Sequence, residues 1–506
     1  MPDRGSSGLF NRLSWPKLAR WLLLPPAAVA AGFLFAEKEP GFRTLDGVSV
    51  IRTSLHKINR SLKSDRPEMQ VTVRVNPVPV ALPTTMPEPR PEPAAEPVAA
   101  AMPGIAPVAV GPLAGFYRGL REIDTGTRAR PVTILHLGDS HIAADRFSGD
   151  LRSLFQARFG NAGRGMMMPG FPFPYYRAQG VEFSKTGAWT ASNSFRNDSG
   201  PYGVTGVRLT TRQGGATLSL TSEDGPFEWA EATFLTGAGM GAATVSVGQA
   251  TETTSTAGKD GSLRRVRIER KGSKMTVTAR GDGPVSVLSW AIGYERPGVR
   301  YVSFGIPGAT AETTRRWDDA LLAADIERLN PDLVILGFGT NEGFNDGLNL
   351  STYSQRVTEL MGRISAAAPQ VSFLIIGPGD SARLPRFAGG SRRDLPCRDL
   401  DDSERANYTT LLRSRSPKLA RWHPPAKLGE VRHALKEIAQ SQGAMFWDWS
   451  RAMGGPCGIQ DWVRSQPALA AGDYVHITAE GARRSARMLF TAIMAGYSPL
   501  DRLAAK

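Results

Sequence analysis

Val132-Thr133-Ile134-Leu135-His136-Leu137-Gly138-Asp139-Ser140-His141 is the stretch that decides how this chain folds. Its first six residues are almost continuously apolar, as in a strand buried on both faces. The run stops at a glycine, and a serine follows two residues later. Just beyond, Arg146 to Phe159 sets Phe147, Leu151, Leu154 and Phe155 on one face of a helix. Strand, glycine turn and helix open a parallel α/β sheet, and such sheets meet their ligands at the carboxyl ends of the strands. Ser140 stands at that end.

Further strands are expected at Tyr301 to Phe304, Leu333 to Phe338, Ser372 to Ile376 and Ala444 to Trp447. Helices are expected near Thr313 to Leu329, Ser351 to Ala367, Leu428 to Gln442 and Ala479 to Met494. Alternating strands and helices of this kind make a three-layer α/β/α sandwich around a five-stranded parallel sheet. Between the first strand and the rest, Val181 to Tyr294 changes texture. Ala216 to Thr221, Ala243 to Val247 and Lys274 to Thr278 alternate with period two and are separated by Gly, Asp and Ser. That pattern predicts an all-β sandwich or jelly roll inserted into the α/β domain. Residues 379–427 read as a polar, Arg-rich loop with a little helix.

The loops after the first three strands carry Gly138-Asp139-Ser140, Gly305 to Thr310 and Gly339-Thr340-Asn341-Glu342. The loop before the last helix carries Asp473-Tyr474-Val475-His476. Ser140 is the candidate nucleophile, inert until its proton is removed. His476 is the candidate base and later acid, and Asp473, three residues earlier, can turn back to orient the imidazole. An oxyanion needs donors, and the backbone N–H groups of Ser140 and Gly308 with the Asn341 side-chain amide are the candidates. His141, next to the nucleophile, is a possible substrate contact or an orienting neighbour. His136 reads as a hydrogen-bonded core residue and His423 as a loop residue. A second Gly-Asp-Ser, at 379–381, lacks the amphipathic helix expected directly after a nucleophile and follows the oxyanion candidates in chain order. This chemistry calls for no metal and no organic cofactor, and no His-Glu-x-x-His motif occurs.

At the N-terminus, Arg4, Arg12, Lys17 and Arg20 precede the apolar run Trp21 to Ala36. The layout is that of an export signal. Pro25-Pro26 interrupts the run, and cleavage after Ala30 would leave a very short apolar core, so an uncleaved or slowly cleaved anchor to the inner membrane is expected over 1–40. Residues 41–113 are a membrane-proximal segment ending in a Pro/Ala-rich spacer. The α/β domain then spans 114–170 and 297–500, with the β insert at 171–296. Cys397 and Cys457 fit an exported, periplasmic body, paired or as free thiols. The net charge of +14 draws the protein to polyanions. With no nucleic-acid-binding module in the sequence, an anionic membrane or cell-wall surface is the expected partner.

Taken together, Gly138-Asp139-Ser140, Gly308, Gly339-Thr340-Asn341 and Asp473 to His476 resemble the four blocks of the SGNH (GDSL-type) hydrolases. The chain departs from the commonest pattern at Glu342 and Pro307. Gly-Asp-Ser-His, the run Phe159 to Gly165, Gly-Thr-Asn-Glu and the β insert are similar to exported peptidoglycan O-acetylesterases, whose insert is of the carbohydrate-binding-module type. The resemblance implies a serine esterase acting on an O-acetylated glycan through an acyl-enzyme. An O-acetyltransferase with the same triad and a non-catalytic glycan-binding protein are the alternatives.

Overall fold

The decisive strand is β1 (Val132–Gly138), buried at every position. The structure, a computed structural model, describes residues 111–497 except 175, 197–199 and 390. The expected anchor at 1–40 lies outside the described residues, as does all of 41–113 but its last three positions. Among the described residues no helix is long and apolar enough to cross a membrane. Helix α1 (Ala114–Asp124) precedes β1, and α2 (Ser140–Ala143) and α3 (Phe147–Phe159) follow it.

The chain then leaves the α/β layer. In order come β2 (Gly165–Met167), β3 (Val181–Thr186), β4 (Thr190–Asn193), β5 (Val207–Thr211), β6 (Thr217–Ser222) and β7 (Trp229–Thr236). They are followed by β8 (Ala242–Val247), β9 (Ala250–Ser255), β10 (Ser262–Ile268), β11 (Lys274–Ala279) and β12 (Val285–Gly293). These strands make two antiparallel sheets, one ordered β3-β6-β11-β8-β9 and the other β10-β7-β12-β5-β4, with β2 also paired to β12. Gly165–Met167 thus belongs to an antiparallel sheet, although it lies within the 114–170 stretch read as α/β.

The chain returns through β13 (Val299–Gly305) and a 3-10 helix, Ala311–Arg316, to α4 (Asp319–Leu329) and β14 (Leu333–Gly337). Next are α5 (Thr340–Gly343), α6 (Leu350–Ala367) and β15 (Ser372–Gly377). The single helix expected over Thr313 to Leu329 is broken at Trp317-Asp318, where the Asp318 carboxylate accepts from Leu321 N at 3.0 Å and caps α4. The polar stretch contains α7 (Asp402–Ala406) and α8 (Tyr408–Arg413). The domain closes with α9 (Leu428–Ser441), β16 (Met445–Asp448), α10 (Trp449–Ala452), α11 (Gly458–Arg464) and α12 (Ala479–Met494). Cys397 and Cys457 form a disulfide that ties the polar stretch to the start of α11.

The parallel sheet is ordered β13-β1-β14-β15-β16. Strand alternation divides its side chains between two cores. Ile134, Tyr301, Ile335 and Leu374 pack with α1, α3 and α12. Leu135, Leu137, Val334 and Leu336 pack with α4, α6 and α9, in one apolar cluster that continues into the β insert. The register aligns Gly138 with Gly305 on one side and Gly337 on the other. A Cβ at Gly138 would lie 2.7 Å from Ile142 Cγ1 and 2.8 Å from Gly337 O. Glycine there lets α2 fold tightly back over the strand ends, which aims Ser140 at the rim.

Candidate active site

Asp139, fully buried, caps α2 by accepting from His141 N at 3.0 Å. Ser140 is the first residue of that helix, so its N–H has no intrahelical acceptor. Its Oγ lies 2.9 Å from His476 Nε2. His476 Nδ1 lies 2.7 Å from Asp473 Oδ2, while Asp473 Oδ1 accepts from Val475 N and His476 N at 3.0 Å each. The carboxylate is an acceptor, so Nδ1 carries the proton and Nε2 is left to accept from the serine hydroxyl. Burial alone would raise the Asp473 carboxyl; the hydrogen bonds and charge of His476 outweigh it and hold it below its ordinary value. Tyr474, at φ +60°, makes the reversal that brings Asp473 back onto its histidine. The Tyr474 ring stacks on Trp422 at 3.7 Å, and its carbonyl accepts from Ala382 N at 2.9 Å. The polar stretch after β15 thus grips the loop that carries Asp473 and His476.

Two more loops meet Ser140. Asn341, in α5, donates from Nδ2 to Ala309 O at 3.0 Å and lies 3.4 Å from Asp139 Oδ2. Gly308, at φ +83°, is in the left-handed region that favours glycine. Glu342 accepts from Ala311 N at 2.8 Å, bracing the Gly308 loop against α5. Burial pushes its carboxyl up to about 7.

His141 is buried behind Ser140. Its Nδ1 lies 3.1 Å from Asp139 Oδ1 and its Nε2 3.1 Å from Val475 O. Both partners are acceptors, so each nitrogen is placed to donate, an arrangement that favours the protonated ring. Burial opposes that charge, and the Asp139 carboxylate outweighs it and raises the pKa. Neither nitrogen is left to face a substrate, so His141 acts as a brace between the serine turn and the histidine loop. His136 is fully buried, 2.8 Å from the Tyr301 hydroxyl, and burial lowers it to about 3. His423 is buried against Pro424 O. Ser381 of the second Gly-Asp-Ser is 1% exposed, and Asp380 accepts from Ile459 N, anchoring α11. Among the described residues no group of His, Cys, Asp or Glu side chains could hold a metal ion.

The sequence shows Asp139 and Glu342 as motif positions without a role of their own. Their carboxylates, buried where three loops meet, are what join those loops, and only the fold brings the acceptors to their donors.

The profile of the GDSL-like Lipase/Acylhydrolase family matches residues 278–484. The chain therefore carries a GDSL-like lipase/acylhydrolase domain over that span. The matched span holds Gly308, Asn341, Asp473 and His476; Ser140 lies before it, across the β insert. A solved structure of a peptidoglycan O-acetylesterase superposes with a TM-score of 0.61 at 24% identity, over 77% of this chain and 96% of that one. That likeness extends the shared fold across the insert as well as the α/β domain. A putative GDSL-like lipase from Parabacteroides merdae aligns at 17% identity over 39% of this chain and 72% of its own, with a TM-score of 0.25. An acetyl xylan esterase aligns at 11% identity over 38% and 81%, also at 0.25. No curated protein sequence matches the chain.

Proposed function

We propose that this protein is an SGNH-type serine esterase that removes O-acetyl groups from a cell-envelope glycan, peptidoglycan being the substrate favoured. The observation that carries the reading is the unbroken hydrogen-bond chain from Ser140 Oγ through His476 to Asp473. Ser140 Oγ attacks the acetyl carbonyl carbon while its proton passes to His476 Nε2. The electron pair displaced onto the carbonyl oxygen is met by the N–H groups of Ser140 and Gly308, and by the Asn341 amide as it exchanges its long contact to Asp139 Oδ2, 3.4 Å, for the oxyanion. On collapse the bond from carbon to the sugar oxygen breaks, and His476 gives its proton to that oxygen. Water then attacks the acetyl-serine, His476 takes the water's proton and returns it to Ser140, and acetate leaves.

The substrate class is supported by the likeness to the peptidoglycan O-acetylesterase, which shares the inserted β domain. An envelope location, with the body tethered by residues 1–40, is supported by the basic and apolar N-terminal sequence and by the Cys397–Cys457 disulfide. The net charge of +14 suits an anionic membrane or cell-wall surface.

The test is acetate release from O-acetylated peptidoglycan by the wild type and by Ser140→Ala, with labelling by a fluorophosphonate probe. The variant should lose at least about 10³-fold in rate together with the label. Undiminished release by the variant would overturn the assignment. Acetyl transfer to an added glycan in preference to water would make the protein a transferase.

A further inference from the structure

The β insert reaches the active site through the connection between β4 and β5. Asn193 Oδ1 accepts from Arg196 N at 3.0 Å, making a tight turn, and Ser194 N donates to Gly206 O at 2.9 Å. The turn is then fastened to the segment that follows Gly308. Arg316 Nη1 donates to Ser194 O at 2.7 Å, and Trp317 Nε1 donates to Ser194 Oγ at 3.2 Å. Farther along, Asp318 N donates to Tyr202 O at 2.9 Å and Val204 N to Asp325 Oδ2 at 3.1 Å. Gly206 has no room for a side chain: a Cβ there would lie within 2.9 Å of Ser194 Oγ, Ile306 Cδ1 and Trp317 Nε1.

The result is a fixed position for Phe195. A Cβ built on Gly308 would lie 2.7 Å from Phe195 Cζ, so the ring rests directly on the oxyanion loop. Yet the residue is 42% exposed. One exposed aromatic on a surface needs no explanation; its company gives it one. Among the described residues the exposed large apolar side chains are Phe195, Leu384 and Phe387. Leu384 lies two residues after Ala382, whose N–H holds Tyr474 O in the histidine loop. An exposed apolar ring therefore stands against the Gly308 loop, and a second exposed apolar residue follows closely in sequence on the contact that holds the histidine loop.

We infer that Phe195, supplied by the β insert, is a stacking wall for the sugar ring that bears the ester, and so a specificity-determining residue for glycan esters. The inference rests on the esterase reading of Ser140. An ester whose carbonyl oxygen sits at Gly308 N–H brings its two halves within reach of the Phe195 ring. An acetyl group offers that ring one methyl, whereas a pyranose offers a whole C–H face, the complement of an aromatic surface. A ring left open to solvent suits an extended chain lying across the rim better than an acyl tail, which would need an enclosed apolar pocket.

The test compares kcat/KM for wild type, Phe195→Ala and Phe195→Trp on a soluble O-acetylated peptidoglycan fragment and on 4-nitrophenyl acetate, which has no sugar. Phe195→Ala should lose at least tenfold more on the glycan fragment than on the aryl ester, chiefly through KM, and Phe195→Trp should restore the glycan rate to within threefold. Equal losses on both substrates would show that the ring only supports Gly308, and no loss on either would show that it does nothing; both overturn the inference. A wild type that cleaves the aryl ester but not the glycan fragment overturns the glycan reading and this wall together, leaving the esterase. One that cleaves neither overturns the esterase reading and the wall with it.

Discussion

Replacing Glu342 by glutamine should leave the protein's stability unchanged in acid and raise it in mild alkali. Glu342 is 3% exposed, its Oε1 holds Ala311 N, and its Oε2 has no partner among the described residues. Burial is the largest influence on it. Backbone N–H donors oppose burial and the Asp139 charge reinforces it, with the net effect of moving the carboxyl from 4.5 to about 7. Its folded pKa therefore lies above its unfolded one. Between those two values the folded protein keeps a proton that the unfolded chain has shed, so stability falls as pH rises through the window. Integrated across it, the loss is about 3 kcal/mol. For a folding unit spanning Pro107–Lys506, that is a Tm change of about 4 °C. Glutamine keeps an oxygen for Ala311 N and stays neutral at every pH, so it imitates the protonated acid. Melting both proteins at pH 4, 5, 6, 7 and 8, followed by near-UV circular dichroism, should give nearly coincident Tm values at pH 4, below the window. By pH 8 the variant should lead by about 4 °C. The difference cancels other titrating carboxyls, including Asp325 and Asp380, which burial also raises. A Tm difference that stays flat from pH 4 to 8 would refute the reasoning, since Glu342 would then ionise as an exposed carboxylate does.

Asp473→Asn should cut kcat by roughly 10⁴-fold, because an amide facing Nδ1 no longer selects the tautomer that leaves Nε2 free to accept. Acetate-release kinetics check this, and a loss under tenfold would uncouple Asp473 from the base. Gly308→Ala forces a Cβ into the left-handed region at about 1–2 kcal/mol and against the Phe195 ring. If the Gly308 N–H is moved off the oxyanion, kcat should fall by about 10²–10³-fold. A kcat within threefold of wild type would remove Gly308 from the oxyanion hole. Adding Phe195→Ala to that variant should recover the part due to the ring and leave the part due to φ.

The five parallel strands were legible because each is a short apolar run closed by Gly or by a polar residue, and the β1 run matches its observed span to within one residue. In the insert, the alternating strands β6, β8 and β11 could be read, and they prove to be neighbours in one sheet. Their alternation survives because only one face of that sheet is covered. Strands β7 and β12 are buried at every position and lose the alternation that would have marked them. Both faces of their sheet are occupied, with Leu235 and Leu288 packing on Leu321 of α4. The Ser140, Asp473 and His476 constellation was readable because its members sit at strand or helix ends. Phe195 was not, since nothing local in Asn193-Ser194-Phe195 shows that Arg316 and Trp317 will seize the turn.

An insert entering between adjacent strands of a parallel sheet must return the chain without disturbing their register. Here it enters through β2 and leaves through β12, which pair with each other, so β13 can lie beside β1 with Gly138 opposite Gly305. The junction is locked by Asp145, which is buried at φ +49°. Its carboxylate takes hydrogen bonds from Arg152 of α3, from Arg164 and Gln179 N in the insert's first segment, and from Ser303 of β13. Burial alone would raise it, but the two guanidiniums prevail and hold it at about 2. A buried charge satisfied from every side resists separation of its partners, because removing any one leaves another unpaired in a low dielectric. The insert is therefore fixed beside β1 at this junction and, at Ser194, to the Arg316-Trp317 segment that follows Gly308. With both attachments rigid, an aromatic carried by the insert can serve as a wall of the active site, and specificity for the sugar need not come from the hydrolase blocks alone.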